Sequence, residues 1–166
     1  MGVVTQLSES EVAAKWEEMA PLVDRMMERV GTRDECPVYP RSSLAGDDRE
    51  SSPYQVSHAV RACVAAGVDH LHAAKVLVRD QGVLHVAAPS SLARGALETF
   101  STAYWILGPS RRTERVSRVL RWHAQNLKDR NTATNPLSAA NDRPLETKLS
   151  KLYEVADKRG VAAKVI

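Results

Sequence analysis

The stretch from Leu92 to Leu107 constrains this chain more than any other. It is apolar nearly all round, it follows Pro89-Ser90-Ser91, and it stops at Gly108-Pro109. A helix that is apolar on every side belongs in the middle of a bundle. The same stretch carries Arg94 and Glu98 one turn apart. Charges inside a bundle must be paired or placed for use. Leu92–Leu107 is therefore expected to be the most buried helix, with Arg94 and Glu98 forming a buried or half-buried ion pair that fixes helix register. The competing reading is a small-molecule pocket lined by these two groups.

Four further segments carry helical punctuation. Ser8 with Glu11 is a capping box, followed by Val12, Trp16, Met19, Val23, Met26 and Val30 at helical spacing and by Gly31 as a stop. Pro21 predicts a kink or short break near Met19–Ala20. Residues 32–52, with two prolines, serines and an acidic run, read as a loop. Ser52, Pro53 and Gln55 read as the start of a second helix with core positions Val56, Val60, Cys63, Gly67, Leu71, Ala74 and Val78, ending at Gly82. Its small residues from Ala62 to Gly67 let a neighbouring helix approach closely. A fourth helix follows Ser110 with Val116, Val119, Leu120, His123 and Leu127 on its apolar stripe. Residues 131–143 read as a linker, and residues 144–160 as a final helix with Leu145, Leu149, Leu152 and Ala156 on one face and Gly160 at its end. The expectation is an all-α single domain, 1–166, built as one bundle of about five helices with residues 53–130 at its centre.

Size and composition narrow the function classes. The 166 residues are 43% hydrophobic and 26% charged, ordinary for a globular domain. No apolar run reaches the roughly 18 residues of a membrane span. No basic, then apolar, leader opens the chain. Cys36 and Cys63 lie far apart, with Cys63 on an apolar face, so a reduced cytoplasmic protein without membrane attachment is expected. The net charge of +3 hides an asymmetry: residues 1–50 hold 11 acids and 6 bases, a net of −5, which leaves +8 for residues 51–166. Arg111, Arg112, Arg115, Arg118 and Arg121 make the region before Arg130 a basic patch. Such a patch attracts phosphate or an acidic partner. The acidic N-terminal part of the same chain, or of a second copy, is the preferred partner, and nucleic acid is the lesser candidate.

Two constellations suggest chemistry. Asp69 and His72, three apart on one helix, have metal-ligand spacing, but His58 is about 20 Å further along the axis. A metal would need His123, Glu98 or His85 from elsewhere. An Asp69–His72 hydrogen bond is the preferred reading, and neither a metal nor another cofactor is expected. The segment Arg118-Val119-Leu120-Arg121-Trp122-His123 resembles the Arg…His signature of HEPN-type helical ribonucleases, with Val119 in place of a common asparagine. That resemblance implies that Arg118 neutralises a phosphate and His123 acts on a ribose 2′-hydroxyl across a dimer, without metal, in phage defence or a toxin system. A histidine on an apolar stripe is more often a satisfied core residue.

A broader resemblance joins three segments: Tyr54–Val60 leading to Val68–His72, Leu92–Glu98 leading to Ala103–Pro109, and Arg115–His123. In order and spacing they resemble a family of all-helical proteins from actinobacteria and their phages that has no established activity. Members of that family continue past a helix like Leu145–Lys158, so the resemblance makes this chain a shortened member or a fragment. The leading expectation is a non-enzymatic cytoplasmic helical protein that acts through protein contacts and self-associates as a homo-oligomer, using the Ala62–Gly67 face or the basic helix. The metal-independent ribonuclease is the alternative.

Overall fold

The computed structural model describes residues 8–32, 37–83, 85–134 and 144–161, and in them every regular element is helical. In chain order these are α1 (Glu9–Gly31), α2 (Ser43–Ser51), α3 (Val56–Lys75) with a π-turn at Val76–Asp80, α4 (Ala88–Leu107), α5 (Arg112–Thr134) and α6 (Leu145–Lys158). The all-α expectation holds. Cys36 and most of the expected linker, residues 135–143, lie outside the described residues.

The capping box starts α1: Ser8 Oγ accepts from the Glu11 N–H at 3.3 Å, and the Glu11 carboxylate accepts from the Ser8 N–H at 2.7 Å. That second bond holds the Glu11 carboxyl below its usual range. The helix then runs through Pro21 without the expected break. The expected loop at 32–52 contains α2, started by Ser42 Oγ accepting from the Ala45 N–H at 3.1 Å. Because α2 occupies this space, α3 begins later than Ser52. A turn in which the Tyr54 N–H donates to the Ser51 carbonyl (2.7 Å) separates the two helices. Asp48 of α2 then accepts from the Ser57 N–H in the first turn of α3, at 2.8 Å. At its far end α3 widens into the π-turn, where the Gln81 N–H reaches the Val76 carbonyl, and Gly82 takes φ +62° to leave it. The last helix extends the punctuation argument: Gly160 takes φ +67°, and the Val161 N–H donates back to the Ala156 carbonyl at 3.0 Å. Helix α5 persists to Thr134, past the expected linker start at 131.

The helices gather into two compact units, residues 1–37 with 62–101 and residues 38–61 with 102–166. The first has a core of small side chains: Ala20, Val23, Cys63, Val68, Ala74 and Ala96. Close approach of α3 and α4 replaces bulk here. A Cβ on Gly67 would stand 2.8 Å from the Phe100 ring, and one on Gly95 would stand 2.8 Å from the His70 ring. The small-residue face of α3 is thus used by α4 of the same chain, at Thr99 and Phe100. The second unit has the larger core, with Val56, Ala59, Ile106, Val116, Val119, Leu120, Ala124, Leu152, Ala156 and Val161 in one cluster. There α5 packs against both α2 and α6.

Helix α4 is not the most buried element. Ala96, Ala103 and Ile106 are buried, but Leu97 is 68% exposed and Tyr104 78%. Ile106 and, in part, Phe100 face inward, but Leu97 and Tyr104 face out, so apolar composition on all sides does not imply burial on all sides. In α5, by contrast, Val116, Val119, Leu120 and Ala124 are all buried.

Candidate protein-interaction site

The surface that stands out within the first unit is α1. Its buried side is narrow: Ala20 and Val23 are buried and Trp16 and Met27 half-buried. Val12, Met19, Leu22, Met26 and Val30 are 36–50% exposed. Four of these are residues that helical periodicity assigns to the core. The reason is geometric. At about 100° per residue the apolar face of α1 is wide, and the small core beneath it covers only one edge.

Ion pairs fix this helix in place. Glu17 accepts from Arg79 Nε at 3.1 Å and from Nη2 at 2.9 Å, a two-pronged bond. Asp24 accepts from Lys75 Nζ at 2.8 Å, and the same ammonium reaches Asp80 at 3.0 Å. These bonds raise the Lys75 pKa, the Asp24 bond most, and hold the Asp80 carboxyl below its usual range. Between α1 and the π-turn lies a cleft of about 470 Å³ walled by Val12, Trp16, Val78, Glu17 and Arg79. The exposed apolar seam of α1 and this cleft share Val12.

The expected site residues fall elsewhere and are mostly engaged. Arg94 and Glu98 do pair, at 2.7 Å, but their side chains are 80% and 61% exposed. The expectation of a buried register-fixing pair is corrected: they lie on the outward face of α4 with Leu97. Among the described residues the ion pair buried at both ends is Asp47 with Arg115. Asp47 is 1% exposed and accepts from Arg115 Nε (2.7 Å), Arg115 Nη2 (2.9 Å) and Arg112 Nε (3.2 Å). The remaining Arg115 donors reach the Pro109 and Ser110 carbonyls and Ser43 Oγ. The Asp47 hydrogen bond and charge raise the already high Arg115 pKa against the lowering effect of burial. Arg112 also reaches Glu50 at 3.4 Å. Two members of the basic patch thus pair with acids of the N-terminal 50 residues in the same chain. Arg111 is exposed, and Arg121 is half-buried with its Nε hydrogen-bonded to no protein atom.

Arg118 donates to Glu114 (3.0 Å) and to the Trp105 carbonyl (2.7 Å), with its guanidinium 5.2 Å from the Trp105 ring centroid. His123 lies between Tyr54 and Trp122, with ring centroids 5.1 and 4.9 Å away, and its Nε2 is buried. Burial, and secondarily His58, push its pKa below the ordinary 6.5. One chain does not bring Arg118 and His123 together. The expected Asp69–His72 bond is also corrected: Asp69 is exposed, and the carboxylate nearest His72 is Asp24, 4.0 Å from Nε2. Among the described residues no three His, Cys, Asp or Glu cluster closely enough to hold a metal ion, and no helix is long and apolar enough to cross a membrane. Burial pushes the Cys63 thiol up, which leaves it a poor nucleophile.

Nothing in the sequence singled out Asp47. Its only signal was bulk charge, acidic before residue 50 and basic after it, which points to pairing without naming partners. No protein-family profile, curated protein or solved structure matches this chain.

Proposed function

We propose that this chain is a non-enzymatic protein of the cytoplasm that acts through protein–protein contacts and self-associates. The observation that carries the reading is the outer face of α1, where five large apolar side chains stand at the surface of a helix held by Glu17–Arg79 and Asp24–Lys75. Apolar residues grouped on one held face are the usual mark of a contact surface, whereas single exposed ones are not. The charged groups that could serve chemistry support the same reading, since Asp47, Arg112, Arg115 and Arg118 are occupied with one another or with neighbouring backbone. Sedimentation velocity across roughly 1–100 µM, the range where modest interfaces assemble, tests it. A species heavier than 18.2 kDa that dissociates on dilution is expected. A monomer at every concentration would remove self-association from the reading.

A further inference from the structure

We infer that α1 is the contact between two copies of this chain, and that the two α1 helices pack antiparallel about a two-fold axis beside Met19–Leu22. The inference rests on the self-association proposed above and names its surface and orientation.

At about 100° per residue, Val12, Met19, Met26 and Val30 fall within an arc of about 40°, and Leu22 lies some 40° beyond it. All five are exposed. The next arc outward carries Glu11, Glu18, Arg25 and Arg29, all exposed. Their signs are ordered along the axis, acids toward the N-terminus and bases toward the C-terminus. Lys15 falls within the seam, between Met26 and Leu22 around the helix, and is tied outward to Glu18 at 2.9 Å.

That order selects the partner. A parallel copy would leave the two charged flanks on opposite edges of the contact, where neither meets the other. An antiparallel copy sets Met19 against the partner's Leu22 and Val12 near the partner's Val30. The same register brings Glu18 to the partner's Arg25 and Glu11 toward the partner's Arg29. One register satisfies the apolar seam and the charged flank together, which is the self-complementarity that a two-fold interface requires. An anionic lipid surface fits poorly. Helix α1 holds six acids, Glu9, Glu11, Glu17, Glu18, Asp24 and Glu28, against Lys15, Arg25 and Arg29, whereas helices that lie on such surfaces are basic on the polar face. The seam from Val12 to Val30 spans about 27 Å at 1.5 Å per residue. Such a seam is short for a stable interface, so the dimer is expected in the micromolar range.

Sedimentation equilibrium on the full chain and its variants tests this, with circular dichroism to show that each variant folds. Leu22→Glu is expected to weaken the dimer at least tenfold. Glu18→Arg and Arg25→Glu, both on the outer flank, are each expected to weaken it several-fold by facing like charges. Mixed in equal amounts, those two variants are expected to form a heterodimer tighter than either homodimer, because each new charge then meets its opposite. If Leu22→Glu fails to fold, the two charge variants and their mixture still decide. A dimer that none of these changes alters means that the copies meet elsewhere: self-association stands and this seam is overturned. Equal weakening in the mixture overturns the antiparallel register. A wild-type chain that is monomeric throughout, whether or not it adsorbs to phosphatidylserine vesicles, overturns both the seam and self-association.

Discussion

Removing the Asp47 carboxylate would strand the buried Arg115 guanidinium and leave Arg112 with Glu50 as its acidic partner. Arg115 is 8% exposed, and two of its bonds end on Asp47. Breaking one side of a buried pair leaves an uncompensated charge, so Asp47→Ala is expected to cost about 3–5 kcal/mol by urea denaturation. Glu98→Ala, which removes the partner of a solvent-exposed arginine, is expected to leave the urea midpoint unchanged, because water and salt screen such pairs. His123 supplies the pH dependence. Its folded pKa lies below 6.5, so above that value the neutral ring fits both states and nothing is lost. As pH falls from 6.5 toward the depressed folded value, the unfolded chain takes up the proton first and stability declines. His123→Phe is expected to flatten that acid limb in thermal melts between pH 7 and 5. The same residue separates binding from catalysis. Purified protein is expected to leave structured and unstructured RNA intact, and cleavage abolished by both Arg118→Ala and His123→Ala would overturn the non-enzymatic reading.

At the scale of the helix, packing between α3 and α4 turns on missing side chains. Gly67→Ala would raise helix propensity by roughly 1 kcal/mol, but its methyl would meet the Phe100 ring and Thr99 Oγ1 at 2.8–2.9 Å. Overpacking of this kind typically costs about 1–3 kcal/mol, so a net loss is expected. Gly31→Ala, with nothing within 4 Å of the new methyl, is expected to be neutral or mildly stabilising in the same melt. The close approach at Gly67 was legible because small residues cluster at Ala62–Gly67. The ends of α1, α4 and α6 were legible for a comparable reason: Ser8-Glu11, Gly108-Pro109 and Gly160 act through local backbone chemistry. Helix α2 was not. It offers one large apolar residue, Leu44, and owes its place to Asp47 meeting Arg115, 68 residues away. Periodicity also could not tell which part of the wide α1 face is covered, since exposure of Met19 and Met26 depends on how little core lies beneath them. For the candidate site, then, four of the five seam residues were visible in the sequence; Leu22 and the exposure of all five were not.

Across the whole molecule, the opposition of −5 in residues 1–50 and +8 in the remainder resolves into internal pairs. Glu17 meets Arg79, Asp24 meets Lys75, Asp47 meets Arg115 and Glu50 meets Arg112. Bases committed in this way release few counterions from a polyanion. Binding to a fluorescent 20-mer is therefore expected to be no tighter than the non-specific range of roughly 10⁻⁴–10⁻⁶ M at physiological salt. A salt-insensitive nanomolar affinity in an anisotropy titration would contradict it. The π-turn at Val76–Asp80 has a different kind of consequence. With the Gln81 amide reaching back to Val76, the helix holds one residue more than an α-helical turn would, like a screw with a thread out of step. Deleting Leu77 would let the thread close as an ordinary α-helical turn and leave the chain beyond it pointing nearly as before, whereas the same deletion in a regular stretch would turn it by about 100°. Helicity and the Glu17–Arg79 contact are expected to survive, with little change in Trp16 fluorescence. At this point the molecule has a residue to spare that its regular turns do not.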